Sequence, residues 1–108
     1  MDYKESLYYS QLFDIYGELL TKNQKDVFED YYFNNLSLSE IAENRDISRQ
    51  AVDFTLKKTL AILKNLEESL HFNKKMRDVV NDLDKILNEQ INDKLKEKIR
   101  KIISKIKE

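Results

Sequence analysis

SLSEIAENRDISRQAVDFTLKK, residues 37–58, reads as two helices meeting at a sharp turn. Ser37 followed three residues on by Glu40 is a capping box, in which the serine oxygen and the glutamate carboxylate each satisfy an orphan backbone N–H of a helix start. Ser48 is a favoured cap for a second helix. Between the two caps, Ala42 adds no bulk where helices must approach closely, and Ile41, Ile47, Val52 and Leu56 are spaced to close a small shared core. This is the pattern of a helix-turn-helix, with Arg49 and Gln50 directed outward from the start of the second helix. The turn itself is Arg45-Asp46, where such corners typically carry an apolar residue and then glycine. Asp46 falls at a position often left-handed, which aspartate tolerates better than most non-glycine residues. Arg45 is expected to lie outside the core or to carry its charged head to water along its apolar stem.

The composition around this corner is that of an all-α protein. A chain of 108 residues has room for one domain, or a small domain with an extended appendage. With one glycine, Gly17, and no proline, the punctuation of β-turns and hairpins is missing. No cysteine and a single histidine, His71, leave no disulfide, thiolate site or imidazole cluster, so no metal or cofactor is implied. The N-terminus, MDYKESLYY, lacks the form of a signal peptide, and no apolar run approaches the ~18 residues of a membrane span. A cytoplasmic protein without membrane insertion is expected. Glu67 and Glu68 are adjacent and point apart on a helix, no Gly-rich phosphate loop is present, and no nucleophile is paired with a base. An enzyme is not expected.

Four helices build the expected first domain, residues 1–72. From Tyr3 to Leu20 the apolar residues Leu7, Tyr8, Leu12, Ile15, Tyr16 and Leu19 recur every three or four positions. Thr21 with Gln24 is a second capping box, after which Val27, Phe28, Tyr31 and Tyr32 carry the stripe to Phe33, and Asn34-Asn35 stop it. The aromatic residues Phe13, Tyr16, Phe28, Tyr31, Tyr32 and Phe33 have the spacing of a core, not of an RNA-stacking platform. The third helix runs from Leu38 to Asn44. The fourth runs from Arg49 to His71, with Val52, Leu56, Leu60, Leu63, Leu66 and Leu70 as its inner edge. Residues 73–108 restart the pattern as Met76, Val80, Leu83, Leu87, Ile91, Leu95, Ile99, Ile102 and Ile106. Their mean spacing of 3.75 residues exceeds the heptad value, so one long amphipathic helix is expected to pack across other helices or across a second copy. A lone helix with that stripe would expose a contiguous apolar surface, and a homodimer is the expected remedy.

The formal net charge is only −1, yet its distribution is uneven. Residues 1–44 hold three Lys/Arg against nine Asp/Glu, whereas residues 45–108 hold sixteen against eleven. The positive part begins at the second helix of the corner, where a duplex would be read. Ser48, Arg49, Gln50, Asp53, Lys57 and Lys58 are the candidate nucleic-acid-binding residues. Arginine can donate two bonds to guanine and glutamine can pair with adenine, while Lys57, Lys58 and Lys64 suit phosphates. Asp53 beside phosphates is repulsive unless it accepts from a cytosine amine or orients Arg49, four residues before it. The same corner would also serve a docking surface for protein or RNA, since a fold does not fix its ligand.

The run YYSQLFDIYGELLTKNQKDVFEDYYFNNLSLSEIAENRDISRQAV resembles the YlxM family of bacterial helix-turn-helix proteins. The resemblance covers most of the first seventy residues, through Tyr8-Tyr9 to Leu19-Leu20, Tyr31-Tyr32-Phe33, Leu36 to Ala42 and Ile47 to Val52. Helices three and four also resemble region 4 of sigma factors, whose helix-turn-helix reads promoter DNA. The resemblance implies an all-α, wingless helix-turn-helix core of about four helices; it carries little beyond about residue 73, where the long C-terminal helix rests on the apolar spacing alone. It further implies a DNA-binding regulatory protein taking part in the signal recognition particle pathway, with double-stranded DNA and components of that particle as partners. The alternative is an interaction module of the same pathway that binds protein or RNA but not DNA.

Overall fold

The computed structural model describes residues 3–107. Among them are six α-helices and no strand: α1 (Tyr3–Tyr16), α2 (Lys22–Tyr32), α3 (Leu38–Arg45), α4 (Arg49–Leu70), α5 (Phe72–Leu87) and α6 (Asp93–Lys107), with a 3-10 turn at Gly17–Leu19. They fall into two compact units, Met1–Leu70 and His71–Glu108.

In the first unit α4 packs against α1, α2 and α3. Its buried residues are Val52, Leu56, Thr59, Leu63 and Glu67, one per helical turn, and they serve two clusters. Val52 and Leu56 join Val27, Ile41 and Ala42. Leu63 joins Leu12, Tyr16, Leu20 and Phe28. Tyr32 packs against both clusters, and the expected aromatic core is present in part: Phe13 and Phe28 stack at 4.4 Å, as do Phe28 and Tyr32, whereas Phe33, expected with them, is 50% exposed and touches Phe13 and Phe28 only edge-on.

Three expectations for this unit are corrected. Leu70 is 39% exposed and Ile47 44% exposed, so neither closes the core. In α1 the inward face is Leu12 and Tyr16, while Leu7, Ile15 and Leu19 of the same stripe are exposed. The polar Glu67 occupies an inner position instead, 7% exposed, and accepts a hydrogen bond of 2.8 Å from the Tyr16 hydroxyl. Spacing alone favoured the leucines. The buried carboxylate is tolerated because a donor 51 residues away meets it.

In the second unit the continuous helix expected over residues 73–108 is replaced by α5 and α6, which contact each other. The apolar stripe runs through the break at Ile91, which hid it. Its physical signal is polar: the Asn88 N–H closes α5 on Asp84 and Lys85, and the Asn92 side chain accepts from the Leu95 N–H at 2.8 Å, capping α6. Ile99 and Ile103 are the buried apolar residues of α6. His71, just before α5, is left-handed with φ 57°. No helix among the described residues is long and apolar enough to cross a membrane.

Candidate nucleic-acid interface

The corner is built from its caps inward. The Ser37 hydroxyl accepts from the Glu40 N–H at 3.1 Å while the Glu40 carboxylate accepts from the Ser37 N–H at 3.1 Å, so the box that opens α3 is complete. At its other end Asp46 stands at φ 54°, ψ 46°. The Ile47 N–H reaches the Ala42 carbonyl and the Asp46 N–H the Glu43 carbonyl, which is a Schellman closure made without glycine. Two residues later the Ser48 hydroxyl accepts from the Ala51 N–H at 3.0 Å and starts α4. Ala42, buried at 6% exposure, lets α3 and α4 approach.

Arg45 neither lies wholly outside nor runs its head to open water. Its Nη2 lies 3.0 Å from Asp30 Oδ2, both side chains are 25% exposed, and Nη1 donates to Asn23 Oδ1 at 3.5 Å. The turn is thus tied to α2 by an ion pair. One donor, Nε, is buried with no hydrogen-bond partner.

Ser48, Arg49, Gln50, Lys57 and Lys58 are exposed, and Asp53 is half-buried. Arg49, Gln50 and Lys58 make no side-chain hydrogen bond or ion pair among the described residues. Asp53 pairs forward with Lys57 at 2.9 Å and so does not serve to orient Arg49. At about 100° per residue, Gln50 lies about 160° around α4 from the buried Val52, Lys57 about 140°, Lys58 about 120°, Asp53 about 100° and Arg49 about 60°. Gln50 therefore heads the outward face, with Arg49 on its flank.

One residue of that face escaped the sequence reading. Phe54 also lies about 160° from Val52, one turn after Gln50, and it is 67% exposed. The signal was its two-residue offset from a core valine, which on a helix points it away from the core.

A separate open cleft of about 400 Å³ is lined by Ser6, Tyr31, Tyr32, Asn35, Leu36, Ser37 and Glu40. Burial, with the neighbouring Tyr31, Glu5 and Tyr9, holds the Tyr32 phenol well above its ordinary value of 10.0. The cleft therefore presents a hydroxyl there, not a phenolate. No group of three or more His, Cys, Asp or Glu among the described residues is placed to hold a metal ion.

The family model described as "Putative helix-turn-helix protein, YlxM / p13 like" (UPF0122) matches residues 3–104. A UPF0122 protein of Thermoanaerobacter sp. (strain X514) is 48% identical over 80 residues, covering 74% of this chain and 68% of the relative. One of Mycoplasma capricolum subsp. capricolum is 43% identical over 87 residues, covering 81% and 77%. A third, of Oceanobacillus iheyensis, is 45% identical over 75 residues, covering 69% and 71%.

Proposed function

This chain belongs to the UPF0122 family of helix-turn-helix proteins, and from that premise we propose that it is a cytoplasmic regulatory protein that binds double-stranded DNA through the start of α4. The observation that carries the reading is the pair Arg49 and Gln50, exposed and unengaged among the described residues at the capped start of the corner's second helix. The N-terminal turn of such a helix enters the major groove, where Arg49 suits guanine and Gln50 adenine. Ser48 stands beside them at the cap. Lys58 and Lys64 suit phosphates, as does Lys57 once Asp53 releases it or shares it. Asp53 itself is left to accept from a cytosine amine. Helix-turn-helix proteins commonly read paired half-sites as dimers. Exposed apolar residues on the second unit, Met76, Val79 and Ile86 of α5 with Leu95 and Ile102 of α6, favour a homodimer here.

The test is binding of the full chain to fluorescent duplex pools at two salt concentrations. Arg49→Ala is expected to relax sequence preference at a cost of about 1–3 kcal/mol, and Lys58→Ala to weaken all sequences and lower the salt slope by about 1. Duplex affinity that ignores both substitutions overturns the assignment. A second reading, an interaction module of the signal recognition particle pathway, is favoured by the exposed apolar residues Leu7, Ile15 and Leu19. It requires co-purification with particle protein or RNA from the native cell, and retention of neither removes it.

A further inference from the structure

We propose that Phe54 is a specificity-determining residue of the α4 face, its ring covering the 5-methyl group of thymine in the major groove of bound DNA. The inference rests on the DNA-binding reading above and goes beyond it by naming what lies in the site next to the base read by Gln50.

Phe54 is 67% exposed, and no ring contact engages it among the described residues. Single exposed apolar residues are common and by themselves mean little. The surroundings of this one select its occupant. Gln50 precedes it by one turn on the same face, Lys57 and Lys58 follow it, and Arg49 flanks it. A partner that covers Phe54 must therefore be anionic around its edge, offer hydrogen-bonding groups to an amide one turn away, and be apolar at one point between. A duplex meets all three requirements, because thymine methyls are the apolar features of the major-groove floor. Gln50 and Phe54 are separated by one helical turn, about 6 Å along the axis, close to two base-pair steps of about 3.4 Å. An adenine read by Gln50 is thus expected two steps or fewer from the thymine read by Phe54.

The test uses duplexes recovered from a random pool by the full-length chain, then resynthesised with deoxyuridine for thymine so that only the 5-methyl groups are lost. Covering one methyl contributes about 0.8 kcal/mol, so wild-type affinity is expected to fall about fourfold per methyl lost at this contact. Phe54→Ala, at an exposed position, is expected to fold normally, to bind the thymine duplex more weakly by a similar factor, and to be indifferent to that methyl. Phe54→Leu is expected to keep part of the response. Equal sensitivity to methyl removal in wild type and Phe54→Ala overturns the role of Phe54 while leaving duplex binding standing. No retention of any duplex by the wild type overturns the DNA-binding reading and the inference with it.

Discussion

Breaking the Arg45–Asp30 pair tests how the corner is held. The two groups lie 3.0 Å apart with a quarter of each side chain exposed. At that separation the gross attraction is about 5.5 kcal/mol for an effective dielectric constant of about 20 and about 1.4 kcal/mol in bulk water. Partial desolvation of both ions offsets much of it, leaving a net coupling of about 1–2 kcal/mol, above the ~0.2–1 kcal/mol of fully exposed pairs. Asp30→Ala alone should cost about 2 kcal/mol, because it also strands a guanidinium whose Nε already lacks a partner and whose remaining contact is Asn23 at 3.5 Å. The Asp30 side chain accepts from Asn34 as well, so only a double-mutant cycle with Arg45→Met isolates the pair. Urea unfolding followed by tyrosine fluorescence reads the first unit specifically: all six tyrosines lie between residues 3 and 32, and there is no tryptophan. A coupling below about 0.3 kcal/mol, the limit of simple additivity, would refute the claim that this pair secures the turn.

Four further outcomes are expected. Asp46→Val should lower stability by about 1–2 kcal/mol in the same urea assay because its left-handed backbone is strained for a β-branched residue, whereas Asp46→Gly should match or exceed wild type. Tyr16→Phe removes the donor to the buried Glu67 and should cost about 1.5–3 kcal/mol, read by helical circular dichroism in urea. Because the fold holds the Tyr32 phenol above its ordinary value of 10.0, that residue's stabilisation is complete below pH 10 and is lost as the unfolded chain ionises above it. Tyr32→Phe should flatten the fall in urea midpoint between pH 9 and 11. Asp53→Asn removes a carboxylate and frees Lys57, so duplex affinity should rise for sequences without cytosine at the Asp53 contact, the preference for cytosine there should be lost, and the salt slope should steepen by about 1 in a fluorescence titration.

Local chemistry was legible in the sequence and distant chemistry was not. Both capping boxes, Thr21 with Gln24 and Ser37 with Glu40, and the left-handed Asp46 depend on neighbours within a few residues, and each stands as its spacing implied. The inner face of α4 was misread at Glu67, whose burial depends on Tyr16. Arg45 reads as lying outside the core or reaching water because its partners, Asn23 and Asp30, lie on another helix. In the second unit the apolar period continued through the break while the new helix start was written in Asn92, whose side chain caps α6. At the candidate interface Arg49 and Gln50 were found by the motif. Phe54 was missed because the motif directs attention to polar side chains that pair with bases, and a lone aromatic residue carries no such signal.

A net charge of −1 is a poor guide to what this surface attracts, because the charges are unevenly distributed along the chain and several are already paired with one another. Lys22 pairs with Asp26 at 3.3 Å, Lys25 with Glu18 at 3.1 Å, and Arg45 with Asp30. On α4 the Asp53–Lys57 pair cancels one positive charge at the groove face. Arg49, Lys58 and Lys64 carry no ion pair among the described residues, so they set the local field along that helix. Interactions beyond about 8–10 Å are screened at ordinary ionic strength, so charges on α4 itself weigh most at a phosphate that approaches its outer face. On the proposed reading, the unengaged charge on one helix face decides whether the first unit meets DNA, and the uncharged Gln50 and Phe54 on that face would supply contacts that salt does not screen.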